Sequence, residues 1–190
     1  MSRERILDAA IERIASDGID GVRIARIAMD AGVSTALVHY HFATREALLA
    51  EALEHSFERA GDLRTADTGE SPAVQRLRDM VEQCLPLPGE QEQDWVLWVE
   101  LWLRAVRHPE LRPTAAKLYA RMHAWFAEAI EAGGFDCDAD RVADHAIALL
   151  DGLGLRALLG DPAMPVARAR EEVWDALARD LRVAPPVAHE

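Results

Sequence analysis

Three hydrogen-bonding aromatic side chains stand in a row at His39, Tyr40 and His41, and an apolar Phe42 follows them. Three such rings cannot all be buried, so part of the run must face solvent or a polar partner. The run follows a corner, Ile27-Ala28-Met29-Asp30-Ala31-Gly32-Val33-Ser34. Ile27 and Ala28 face inward there, and the small Ala28 lets two helices approach closely. Gly32 can take the positive φ of a tight turn, Val33 buries at the corner, and Ser34 caps the next helix. That order of residue types describes a helix-turn-helix, a motif whose second helix enters a major groove.

A second cluster is aromatic. Trp95, Trp98 and Trp102 recur at i, i+3 and i+7 with Glu100 among them and Arg104 one turn further on, while Trp125 shares the next helix with Met122 and Phe126. Two readings compete. One is a core of large side chains in which Glu100 pairs with Arg104. The other is a pocket whose aromatic walls and carboxylate receive an apolar or cationic small molecule, with His145 and Asp151 as further polar lining. A third pattern is a stripe, Val142, Ala146, Leu149, Leu150, Leu153, Ala157 and Leu158, interrupted by Gly152 and Gly154. Glycine inside a helix costs about 1 kcal/mol relative to Ala, a cost that close helix approach would explain. With Val173, Trp174, Leu177, Ala178 and Leu181 beyond it, the stripe predicts a four-helix seam across a two-fold axis, the alternative being an ordinary buried helix pair within one chain. Its expected contacts are Ala146, Leu150, Leu153, Ala157, Trp174 and Leu177.

Nothing comparable supports catalysis. No GxSxG, HExxH, P-loop or Gly-rich dinucleotide turn is present, and Glu100, Glu128, His123 and His145 have no compelling spacing. Cys84 and Cys137 lie too far apart in sequence for a metal-ligand motif and read as reduced thiols, although two cysteines are enough for one disulfide. The chain is therefore expected to be no enzyme and to need neither metal nor cofactor.

The elements that must carry these residues are helical throughout, because strand-type alternation is nearly absent. Leu7, Ile11 and Ile14 mark a first helix stopped at Gly18. A second runs over about 23–31, a third from Ser34 through about 41, and a long fourth opens at Thr44 on Leu48, Leu49, Ala52 and Leu53. A polar connection over 61–72 leads to five more, at about 72–85, 94–107, 109–132, 139–159 and 166–181, with a frayed tail beyond. The fold class is all-α, about nine helices.

The stretch from residue 5 to 53 resembles the TetR family of bacterial transcriptional regulators. The likeness rests on the amphipathic first helix, Gly18, Ile27-Ala28, Ala31-Gly32-Val33-Ser34, and His39-Tyr40-His41-Phe42-x-x-Arg45-Glu46-x-Leu48-Leu49. It implies a three-helix DNA-binding head in residues 1–50, and a divergent helical body for effector binding and dimerisation in 51–190. Carried over position by position, Thr35, Ala36 and Tyr40 would face base edges or nearby sugars from the helix that Ser34 caps. His39, His41 and Arg45 would contact phosphates, as would Arg23 and Arg26. His39 stands where a tyrosine is usual and Arg45 where a lysine is usual; the arginine keeps the charge and adds donors. Residues 95–181 are similar, less specifically, to the body of a subgroup that includes the choline-responsive repressor of betaine synthesis. The partners implied are a palindromic duplex operator, a small effector and a second copy of the chain. The alternative is a helical interaction protein whose head lacks specific operator binding.

Charge sharpens this division. The 190 residues carry a net charge of -12, which excludes a uniformly basic nucleic-acid coat protein and bulk attraction to anionic lipid. Residues 1–50 hold six basic and seven acidic side chains, so eleven of the twelve net negative charges fall in the body. The head can approach DNA, and the body is repelled by it. The most apolar window, Trp95 to Val106, contains Glu100 and Arg104 and is too short to span a bilayer. With no signal-peptide pattern at the start, the chain is expected to be cytoplasmic.

Overall fold

A computed structural model describes residues 2–59 and 71–183. Its nine α-helices are α1 (Ser2–Gly21), α2 (Ile24–Asp30), α3 (Thr35–His41), α4 (Arg45–Arg59), α5 (Pro72–Gln83), α6 (Glu90–Arg107), α7 (Arg112–Gly133), α8 (Ala139–Leu158) and α9 (Val166–Asp180). One 3-10 turn, Pro109–Leu111, precedes α7, and no strand occurs among the described residues. The fold is all-α. The expected connection over 61–72, apart from its last two residues, and the tail beyond 183 lie outside the described residues.

The described chain forms two compact units, one of residues 2–59 with 88–118 and one of residues 71–87 with 119–183. In the first, Ile6, Leu7, Ala10, Ile11 and Ile14 form a fully buried stripe on α1, the face that the helical spacing predicts. Ile27, Val38, Phe42, Leu48 and Leu49 meet it, and so do Leu97 and Leu101 of α6 and Leu118 of α7. The core of the head thus extends beyond residue 50. Polar ties fix α4 within this unit: His55 lies 2.9 Å from Asp8, Lys117 donates to Glu54 at 2.8 Å, and Ser56 donates to Asp94.

Gly18 stops the first helical run, as expected. It has φ 65 and ψ 159, a conformation open essentially to glycine alone, and helical turns resume beyond it to Gly21. A Cβ on Gly18 would stand 3.0 Å from Glu100 Oε1, so the kink also admits a carboxylate from α6. α6 begins at Glu90, four residues before the expected start at 94, because its first turn is polar and carries Glu90 and Glu92 at the helix N-terminus. It is apolar on most sides without being enclosed. Leu97 and Leu101 are buried, whereas Leu103 and Val106 are exposed.

In the second unit, Ser71 caps α5 through the Val74 N–H, and Val74, Leu77, Met80 and Val81 turn inward. Asp138 caps α8 through the Arg141 N–H at 3.1 Å. Arg170 of α9 forks onto both carboxylate oxygens of Glu82, and the Arg78 guanidinium lies 3.9 Å from the centroid of the Trp174 ring. Ala146, Leu150, Trp174 and Leu177 are buried inside this unit.

Candidate nucleic-acid interface and effector-site residues

The corner between α2 and α3 closes as its residue types demand. Gly32 has φ +65, the Val33 N–H donates to Ala28 O at 2.8 Å, and the Gly32 N–H donates to Met29 O at 3.1 Å. The Leu37 N–H donates to Ser34 Oγ at 3.2 Å. α3 is then seated by its apolar side, with Val38 and the following Phe42 buried. Thr35, Ala36, His39 and Tyr40 are exposed, Tyr40 to 81%, while His41 is half-buried and packs edge-on to Tyr40 at 5.3 Å between centroids. One short helix therefore offers hydroxyl, methyl, imidazole and phenol groups on a single accessible side.

Around α3 the predicted phosphate contacts Arg23, Arg26 and Arg45 are all exposed. Arg45 Nη1 reaches the Asp20 carbonyl at 3.4 Å. Arg13 ties α1 to α2, its Nε 2.5 Å from Asp30 Oδ2, and that hydrogen bond holds the Asp30 carboxyl below its ordinary range. Arg13 is thereby committed to the scaffold.

The effector candidates divide between the two units. Trp95, Trp98, Glu100 and Trp102 belong to the first; Met122, Trp125, His145 and Asp151 belong to the second. On α6 the tryptophans touch one another, Trp95 and Trp98 lying 6.1 and 6.0 Å from Trp102 by ring centroid. Trp98 also packs against the head core. The Trp102 indole N–H is enclosed and has no hydrogen-bond partner among the described residues. Glu100 stands 3.9 Å from Arg104, but the close partners of Arg104 are Asp20 at 2.5 Å and Glu46 at 3.4 Å. Sequence spacing exposes the i, i+4 pair; it has no signal for partners 84 and 58 positions away.

In the second unit Met122 is buried. Trp125 packs on Phe126 and lines an open groove of ≈ 670 Å³ with Arg76 and Glu128. His145 is exposed and lies 3.0 Å from Asp180. Asp151 accepts a 2.6 Å hydrogen bond from the Tyr119 hydroxyl, and no cation among the described residues lies within ion-pair reach of it. Burial raises its carboxyl above the ordinary range, against the opposing effect of the Tyr119 bond. The nearby Cys84 thiol is pushed up to about 12, by burial first and by the Asp151 charge second.

The seam residues divide too. Ala146, Leu150, Trp174 and Leu177 build the chain's own core, because a helical stripe does not distinguish the side facing its own neighbours from the side facing a partner. Leu153 and Ala157 keep accessible surface, beside exposed Gly152 and Leu159. A Cβ on Gly152 would meet nothing within 4 Å in the chain.

An all-α chain with a capped, outward-facing helix after a glycine corner defines a helix-turn-helix regulator. Comparison with known proteins agrees. Residues 6–52 match the family described as bacterial regulatory proteins, tetR family, and residues 73–182 match the BetI-type transcriptional repressor, C-terminal family. The HTH-type transcriptional regulator BetI of Brucella canis is 28% identical over 187 residues, 97% of this chain and 94% of that protein. A crystal structure of a TetR-family transcriptional regulator from Rhodococcus sp. superposes with a TM-score of 0.82 at 31% identity, covering 95% of this chain and 98% of that one. A transcriptional regulator from Saccharomonospora viridis, solved in complex with choline, gives a TM-score of 0.75 at 32% identity, covering 94% and 96%. The chain belongs to the TetR family, with a BetI-type body. It is a DNA-binding transcriptional regulator and not an enzyme. No helix among the described residues is long and apolar enough to cross a membrane.

Proposed function

We propose that the chain is a ligand-responsive repressor that binds a palindromic operator as a homodimer and is released by a small organic cation. Residues 1–50 read the DNA, and residues 51–190 carry the effector contacts and the dimer seam. The observation that carries the operator reading is α3 itself. Val38 and Phe42 anchor it, while Thr35, Ala36, His39 and Tyr40 are left accessible on a helix too short to need them for its own packing. Two such helices about 34 Å apart, one DNA turn, read successive major grooves.

Two observations support the effector reading. Asp151 is a partly buried carboxylate that accepts from a tyrosine hydroxyl and has no counter-charge among the described residues, an arrangement that a ligand cation would complete. On α6, the enclosed Trp102 N–H has no acceptor among the described residues, and an unmade buried hydrogen bond costs about 1–3 kcal/mol. The choline-bound relative makes a quaternary ammonium the first class to test.

Selection of bound fragments from random duplex DNA tests the operator reading. Enrichment of a palindrome is expected; recovery of no preferred sequence overturns it. Quaternary ammonium compounds are then added to the complex while tryptophan fluorescence is followed. Release with a fluorescence change supports the effector reading, and release that leaves the tryptophans silent counts against the Trp102 assignment.

A further inference from the structure

Arg104 makes contacts that neither the helix carrying it nor the effector reading explains. Its side chain is only 12% exposed, and its guanidinium lies among three carboxylates from three elements. Nη2 donates to Asp20 Oδ1 at 2.5 Å, Nη1 donates to Glu46 Oε1 at 3.4 Å, and Nε lies 3.9 Å from Glu100 Oε2 with no hydrogen-bond partner among the described residues. Asp20 and Glu46 have one thing in common: both frame Arg45. The Asp20 carbonyl accepts from Arg45 Nη1 at 3.4 Å, and Glu46 is the next residue on α4.

Stability alone is a poor account of this arrangement. The Asp20 carboxylate is 88% exposed, so its pair with Arg104 is screened and contributes little to folding. What a planar guanidinium supplies is direction, since its donors diverge in a fixed fork and hold two acceptors in one mutual geometry. Here the fork joins the segment after the Gly18 kink to the first turn of α4, and Arg45 emerges between them.

We propose that Arg104 is a positioning residue for DNA binding: by gripping Asp20 and Glu46 it aims the Arg45 guanidinium at the phosphate backbone. The inference rests on the operator reading above, and it gives α6 a direct share in the DNA site.

The test measures affinity of the full-length chain for the fragment recovered by DNA selection, across a series of salt concentrations. Arg104→Met is expected to weaken binding by about tenfold and to shallow the salt slope by about one ion, the signature of a lost phosphate contact. In an Arg45→Ala background the same substitution is expected to cost less than about twofold, because the contact it serves is already gone. A general loss of stability or of positive charge would cost the same in both backgrounds. Asp20→Asn gives a second readout at an exposed position that does not threaten folding. Removing an acid near DNA would by simple electrostatics tighten binding, whereas loss of the grip weakens it, and only while Arg45 is present. Losses from Arg104→Met and Arg45→Ala that multiply, or tighter binding by Asp20→Asn, overturn the positioning role while leaving the operator reading intact. A parent chain without affinity for any duplex overturns both.

Discussion

Gly152 offers a direct trial of the proposed dimer seam. It lies in the interior of α8, on the exposed side, and a Cβ there would meet nothing within 4 Å inside the protomer. Alanine at this position should therefore stabilise each folded protomer by about 1 kcal/mol through helix propensity alone. That gain is the same in a free and in a paired protomer, so it cancels from the dissociation constant. A seam over this face changes the result, because each copy then presses a new methyl group into packed surface. Overpacking costs typically about 1–3 kcal/mol per site, and two sites at the lower end, about 2 kcal/mol, correspond to roughly a 30-fold weaker dimer. Sedimentation equilibrium of parent and Gly152→Ala gives the dissociation constants, and thermal unfolding at a concentration far below them gives the protomer effect. The expected pattern is a more stable protomer in a weaker dimer. A stabilised variant whose dimer constant stays within about twofold of the parent would refute a seam that crosses Gly152, leaving Leu153 and Ala157 without their expected partner.

Other perturbations have equally definite outcomes. Arg45→Ala should lower affinity for every duplex by a similar factor and reduce the salt slope by about one, read by titration at several salt concentrations; a change confined to one operator position would make Arg45 a base contact instead. Gly18→Ala should cost about 1–3 kcal/mol in urea unfolding, because φ 65 with ψ 159 is strained for any side chain. Asp151→Asn should stabilise the protein at neutral pH. The folded carboxyl is raised by burial, so between its unfolded and folded values the native state binds more protons and parental stability falls as pH rises. The advantage of Asp151→Asn should accordingly shrink on acidification toward the ordinary carboxylate range, and unfolding midpoints of both proteins at acid and neutral pH check it. The same variant should lose release by a quaternary ammonium compound while retaining operator affinity.

What the sequence discloses follows how local the cause is. The α2–α3 corner is written in consecutive residues: Ala28, Gly32, Val33 and Ser34 each act within a few positions, and the turn forms with the bonds their chemistry predicts. The apolar stripe of α1 is likewise a matter of spacing. Helix boundaries marked by polar residues are harder, so the first turn of α6 at Glu90 carries no hydrophobic signal. Hardest are contacts between distant segments. Arg104 shows its neighbour Glu100 to anyone counting by four, but Asp20 and Glu46 come to it only through the packing of α6 on α1 and α4. For the same reason the stripe on α8 predicts burial without naming what covers it, and Ala146 and Leu150 prove to serve the protomer's own interior.

The core shared by α1–α4 with Leu97, Leu101 and Leu118 bears on how such regulators can be recombined. A hybrid that transplants residues 2–59 onto a foreign body would leave behind three leucines that are fully buried in the native unit, and it would separate Asp20 and Glu46 from Arg104. The exchangeable module is discontinuous: to carry its DNA preference intact, the graft must bring residues 88–118 along, or the recipient must already present matching apolar side chains and an arginine at the corresponding turns. Swaps cut at the sequence boundary should yield chimaeras that express poorly, and swaps cut along the packing boundary should yield working hybrids.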